Sequence, residues 1–276
     1  MRILLFWVGV LFLSAANAQS RTIWQLSSTI QGDWVSFEVD HLGNTYLINQ
    51  ANQLRKYTPQ GDSVAIYNDQ RRYGNIGTLD VSNPLLLLVY YPDYFTIVWL
   101  ARFLRPVNIL DLRASGVFSI GAVASSFDSK IWVFDKMEQR LKKISQKGEL
   151  LQQTPDLRQV LTKNIDPVSI QEAQQRVYLY DSTQGIFVFD YFGNFEKNID
   201  VKGWAHWSIQ GLVMQGIKER TLQAYDLRSD LTTSTNLPEK KLFQKVQWGI
   251  DKNLYCLQPL ALSKGADLLI YIQKQE

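Results

Sequence analysis

The chain of 276 residues has one cysteine, Cys256, and two histidines, His41 and His206. A lone thiol closes no internal disulfide, so the fold must be held by its core. Cys256 sits in the apolar setting KNLYCLQPL, which marks a small buried hydrophobe rather than a nucleophile. The two histidines share no metal-ligand spacing, and no C-x-x-C pair accompanies them. There is no G-x-S-x-G elbow and no Gly-rich phosphate loop. The segment DHLGNTY from Asp40 lacks the alternating acids and closing Glu of an EF-hand, and reads as a hairpin turn. No catalytic residue and no metal ligand set is assigned from these patterns.

Strong charge bias is absent too. Lys and Arg number 29 against 26 Asp and Glu, for a net charge of +3, and no basic run exceeds a pair. Nucleic-acid binding needs a clustered basic face, so no nucleic acid is expected as partner. Hydrophobic residues make up 46% and charged residues 20%, enough apolar material for a large core. Long helical periodicity is scarce, and only TPDLRQVLTK from Thr154 predicts a short helix.

A long uninterrupted apolar run is missing as well. DVSNPLLLLVYYPDYFTIVWLARFL, from Asp80 to Leu104, comes nearest, but Pro92-Asp93 stands in its middle. A membrane helix carrying Pro and Asp at mid-span would be costly. The two halves, Leu85 to Tyr91 and Phe95 to Leu100, are strand-length and rich in aromatic and β-branched residues. They predict a β-hairpin turning at YPDY, not a transmembrane span.

What is present is first an N-terminal leader. Arg2, the apolar run Ile3 to Leu13 and the small-residue site Ala16-Asn17-Ala18 read as a signal peptide over residues 1–18. The run is short for a membrane span, and no lipobox cysteine stands at the cleavage site. A single domain over residues 19–276, periplasmic or secreted, is expected. The missing disulfides fit a bacterial periplasm better than a eukaryotic exterior.

Second, there is a repeat. HLGNTYLINQANQLRKYTPQGDS from His41, FDSKIWVFDKMEQRLKKISQKGEL from Phe127 and AQQRVYLYDSTQGIFVFDYFGNFEK from Ala173 share one grammar. Each has a polar turn, an apolar strand, a short loop, a second strand and a Gly-containing turn. The strand-ending residues Asn49, Tyr91, Asp135 and Asp181 recur at roughly 44 residues, the spacing of four-stranded propeller blades. Weaker copies begin at Ser208 and Val246. The expected fold is all-β, a β-propeller of six blades with four antiparallel strands each. Ile23 to Leu26 is the expected closing strand, beside Leu268 to Ile272. DLRSDLTTSTNLPEKK from Asp226 reads as a polar linker.

The stretch Val35 to Gly61, VSFEVDHLGNTYLINQANQLRKYTPQG, resembles a blade of NHL-type six-bladed propellers. The match extends to the copies from Phe127 and Ala173 and is looser elsewhere. With the leader, the chain resembles secreted propellers of Gram-negative envelopes. That resemblance implies loops after each second strand and before each first strand gathering at one channel mouth. It would bring there Trp34, Arg72, Tyr73, Tyr91, Asp93, Tyr94, Asp135, Asp181, Trp204 and His206. His41 would lie on the opposite face. Lactonase-like relatives of that fold hold calcium at the mouth, for which this chain offers Glu38 and Asp166. Asp135 and Asp181 also fit a repeated turn cap.

The leading expectation is a non-enzymatic module or scaffold that binds a protein partner in the envelope, with no cofactor. The alternative is a lactonase-like enzyme or small-ligand binder with calcium in the mouth. A glycan is a further possible ligand, through Trp34 and Trp204, because aromatic faces suit sugars and interfaces alike.

Overall fold

A computed structural model describes residues 22–238, 242–249, 252–260 and 265–275. The proposed leader, residues 1–18, lies outside the described residues. The chain is almost entirely strand and tight turn. The apolar stretch Asp80 to Leu104 forms the expected hairpin: Leu86–Tyr91 pairs antiparallel with Thr96–Ala101, and Pro92–Tyr94 makes the turn as a single 3₁₀ segment. Among the described residues no helix is long and apolar enough to cross a membrane.

Alternation explains why that sequence is apolar without a break. Leu87, Val89 and Tyr91 face one neighbouring sheet, while Leu88 and Tyr90 face the other. A strand buried on both faces has no polar side to show. Thr78–Asp80 and Pro106–Asp111 complete this four-stranded unit, blade two. Blade three comprises Ile120–Ser125, Ile131–Asp135, Arg140–Ile144 and Leu150–Gln153. Blade four comprises Ser169–Ala173, Arg176–Asp181, Gly185–Asp190 and Phe195–Ile199. Blade five comprises Ala205–Gln210, Val213–Lys218, Thr221–Asp226 and Leu231–Asn236.

Blades one and six share a strand. Thr22–Val39 is one continuous strand of 18 residues. Its last part, from Trp34, is the inner strand of blade one, ahead of Thr45–Asn49, Leu54–Tyr57 and Ser63–Tyr67. Its first part is the outer strand of blade six, after Lys245–Trp248, Asn253–Pro259 and Ala266–Gln275. Gln25 pairs with Ile272 and Leu26 with Tyr271, as the closing-strand expectation requires. Core residues fall into six clusters, one between each successive pair of blades, including blades six and one. The ring is therefore closed by both hydrogen bonds and apolar packing.

The polar linker expected from Asp226 is corrected. Leu231–Asn236 pairs along its full length with Thr221–Asp226 and forms the outer strand of blade five. Five of the six residues of this outer strand are exposed, so its sequence needs no apolar side. The predicted helix after Thr154 is present as Leu157–Leu161, started by the Asp156 carboxylate accepting the Arg158 N–H.

Side-chain locks join the blades. Near the channel, Gln171 donates to the Trp207 carbonyl at 2.7 Å and accepts the Ile209 N–H at 3.0 Å. Gln210 donates to the Trp248 carbonyl and Gln247 to the Val39 carbonyl. These glutamines stitch inner strands of blades four to five, five to six and six to one. On the face opposite the expected mouth, buried Lys143 of blade three lies among Phe127, Trp132 and Tyr191, with its Nζ 3.0 Å from Asp128. Tyr191 belongs to the next blade's turn, so this cation–π cluster couples blades three and four. Lys56 does the equivalent from blade one, stacking over Tyr46 and donating to the Arg102 carbonyl of blade two.

Candidate functional site

In each blade the second strand ends, and the next blade's inner strand begins, on one face of the ring. In blades one, three and four the residue that closes the second strand is short and polar and caps the turn. Asn49 Oδ1 accepts the Gln53 N–H at 2.9 Å. Asp135 Oδ1 accepts the N–H groups of Met137 and Glu138. Asp181 Oδ1 accepts those of Thr183 and Gln184 and the Thr183 hydroxyl. The second oxygens are occupied too. Asp135 Oδ2 holds buried Lys142 at 2.9 Å, and Asp181 Oδ2 accepts the Asp166 N–H at 2.8 Å. Burial works against ionisation of Asp181, but these hydrogen bonds outweigh it and hold the carboxyl below the usual range. Both carboxylates are therefore engaged within the fold.

The expected aromatic residues divide. Trp34 and Trp204 are each only 3% exposed. Each indole lies flat over a glycine: a Cβ on Gly32 would fall 2.3 Å from Trp34, and one on Gly216 2.4 Å from Trp204. The Trp204 N–H donates to Gln223 and the Trp34 N–H to the Ile30 carbonyl. These rings fill gaps between strands, and neither offers the open face that a sugar needs. Tyr73 and Tyr91 are buried between blades one and two, with ring centres 5.3 Å apart. The Tyr91 hydroxyl lies near that of Tyr67 without a well-aligned hydrogen bond, and burial pushes it up to about 12. The structure thus corrects the expectation that these four side chains line an accessible mouth. Arg72, Asp93, Tyr94 and His206 are exposed. Arg72 stacks over Tyr73, and Asp93 accepts the Asn75 N–H at 3.0 Å.

The channel mouth opens as a cavity of about 570 Å³, lined by residues that include Ser36, Glu38, Asn49, Asn52, Asn75, Thr78, Val168, His206 and Lys245. Glu38 and Lys245 form an ion pair across blades one and six. His206 hangs into this space, reached by solvent yet ringed by protein atoms. Burial, then the Lys245 charge, lowers its imidazole to about 4. His206 is also left-handed, with φ at +51°. His41 lies in the turn after the inner strand of blade one, on the opposite face. The two histidines do not share a site.

Of the residues offered for calcium, Glu38 is paired with Lys245 and Asp166 with Lys136 at 2.6 Å. Among the described residues, no group of three or more His, Cys, Asp or Glu converges as a metal site.

Sequence reasoning placed Tyr94 on this face but missed Phe118, Met137 and Val168, three further large apolar side chains left open there. Tyr94, Phe118, Met137 and Val168 are 51%, 59%, 66% and 60% exposed. They stand on turns of blades two and three and on the entries to blades three and four. The available signal was an apolar residue inside an otherwise polar turn, as in DKMEQ. The glutamine stitches had a clearer signal, since Ser-Ile-Gln recurs at Ser169 and Ser208.

No protein-family model matches the chain, and no curated protein matches it. Solved structures do. Virginiamycin B lyase from Staphylococcus aureus superposes with a TM-score of 0.58 at 10% identity, covering 91% of this chain and 99% of that one. A streptogramin B lyase gives 0.57 at 13% identity, covering 87% and 78%. BamB from Moraxella catarrhalis gives 0.52 at 9% identity, covering 91% and 98%. At such identities the likeness concerns the fold alone: this chain is a β-propeller.

Proposed function

We propose that the chain is an exported, non-catalytic propeller that binds a protein partner in a bacterial envelope through its channel-mouth face. The observation that carries this reading is the contrast on that face. Asp135 and Asp181 are used up within the fold, while Tyr94, Phe118, Met137 and Val168 stand open on neighbouring turns and strand entries. Rigid turns that display large apolar groups suit recognition, and exposed apolar groups gathered on one face mark interaction surfaces. BamB and the two lyases show that this fold accompanies different protein names, so the neighbours do not choose between binding and catalysis.

The test is a photo-crosslinking amino acid placed at Met137 and, as control, at Leu231 on the outer wall, in the native cells. One envelope protein captured at Met137 and lost in Phe118→Arg is the expected result. Equal capture at both positions would remove this reading.

A second reading rests on the cavity with Glu38 and His206. There the channel would take a small ligand or a calcium ion, with lactonase-like chemistry. It requires Glu38 to leave Lys245. Calorimetric titration with calcium, and a lactone screen, would show heat or turnover that Glu38→Gln abolishes.

A further inference from the structure

Every open propeller blade has an outer strand with one unpaired edge, and natural sheets blunt such edges with bulges, charges or proline. Blades one to four do so in one way. Their outer strands carry one extra residue against the third strand, so that Val64, Val107, Leu151 and Glu196 bulge from the ladder. Blade two adds Pro106, and blade four adds the charges of Glu196 and Lys197. The outer strand of blade six is also shifted, between Leu26 and Ser28.

Blade five differs. Leu231–Asn236, LTTSTN, pairs through six consecutive positions without a shift, and it holds no charge and no proline. The Leu237 N–H bonds the Arg220 carbonyl, which fixes the alternation of the ladder. Thr235, Thr233 and Leu231 therefore turn their backbone groups inward. Thr232, Ser234 and Asn236 turn theirs outward. The Asn236 carbonyl is already taken by the indole of Trp24. Thr232 and Ser234 thus present two N–H donors and two carbonyl acceptors in a straight row.

We propose that this edge pairs antiparallel with the same edge of a second copy of the chain, about a two-fold axis at Thr233. Each Thr232 then faces a partner Ser234, and four backbone hydrogen bonds form. The side chains support the same occupant. Thr and Ser directly opposite one another are favourable cross-strand pairs, and an uncharged strand meets itself without repulsion. A foreign strand is normally selected by pockets for its alternate side chains. This edge has none, because five of its six residues are exposed and flat against solvent. Symmetry and register alone specify a like strand. The inference is independent of the channel mouth, which lies on an end of the ring rather than on its wall.

Sedimentation velocity on the mature chain, over about a hundredfold range of concentration, should show a monomer–dimer equilibrium. Ser234→Pro removes one outward donor and should leave only monomer, with an unchanged melting curve, since proline is tolerated at an outward edge position. If Ser234→Pro fails to fold, Ser234→Lys reads the same question through charge repulsion. Thr233 on the axis would face its copy as a non-hydrogen-bonded pair, with Cα atoms about 4.5 Å apart, within disulfide reach. Thr233→Cys should therefore crosslink under mild oxidation, and Ile109→Cys on the bulged edge of blade two should not. A chain monomeric throughout, a dimer that survives both Ser234 variants, or equal crosslinking at both cysteines would overturn the proposal.

Discussion

Blade three buries three charged side chains, Asp135, Lys142 and Lys143, whereas blade five has no buried charged residue among those described. Both follow one four-strand plan. In blade three the lysines of Arg140–Ile144 are drawn inward, one to Asp135 and one into the aromatic cluster shared with blade four. In blade five the corresponding strand, Thr221–Asp226, carries Gln and Ala at its centre and buries only Leu222. Blade three ends in a short, bulged outer strand whose Gln152 donates to the Tyr191 carbonyl of blade four. Blade five ends in a straight strand open to solvent. The ring thus has a locked sector and a plain one, and the plain sector keeps its edge free.

The largest expected effect tests whether the locked sector depends on the ring. A chain beginning at Thr29 loses most of the strand that closes blade six. Its urea unfolding should lose the single steep transition, while native-state hydrogen exchange still finds the strands of blade three slowest. Uniform loss of protection would show that blade three has no stability of its own. Next, Asp135→Ala removes the buried one of two carboxylates that hold Lys142, leaving Glu138 at 3.0 Å, and strips a turn of its cap. It should cost about 2–4 kcal/mol by denaturant titration. Asp181→Ala removes a cap without a buried cation and should cost about 1–3 kcal/mol.

Blade five is tightly specified at one place. Gly216→Ala pushes a methyl group into Trp204 and should cost about 1–3 kcal/mol, visible as altered tryptophan fluorescence. A pH titration sharpens the contrast further. Burial opposes ionisation of Asp128, but hydrogen bonds from Lys130 and Lys143 and the Lys143 charge bring its carboxyl down to about 2. A carboxyl with a depressed folded pKa stabilises above its unfolded value, about 3.9, and loses that contribution as pH falls through its folded value. Stability should therefore fall between about pH 4 and pH 2 on this account, and Asp128→Asn should flatten that step. The smallest effect belongs to the plain sector. Thr232→Lys should change the stability of the monomer by less than about 0.5 kcal/mol, because the position is exposed to solvent there.

The blades with the clearest grammar were legible for a physical reason. A strand between two other blades is apolar on both sides, so Leu86–Tyr91, Ile131–Asp135 and Arg176–Asp181 stand out in the sequence, each ended by its turn residue. Blade five was harder to read because its outer strand has no buried face, and Thr, Ser and Asn suit a linker as well as an exposed strand. The mouth was legible as a place, through the order of strands and turns. Its membership was not. Trp34 and Trp204 are read alike as platforms or as core, and only the glycines lying against them decide. Asp135 and Asp181 look alike in sequence, yet one also holds a buried lysine.

The strand rhythm, the hairpin at Pro92, the closing strand near Trp24 and the lack of any familiar catalytic motif follow from the order of residues alone. These are local properties: alternation, turn chemistry and spacing act within a few residues of one another. Which polar groups are consumed, which aromatic rings are covered and which outer edge is left straight were set by the packing of blade against blade. Those depend on what arrives from another blade some forty residues away, and no local pattern records which side chain will be there to meet it.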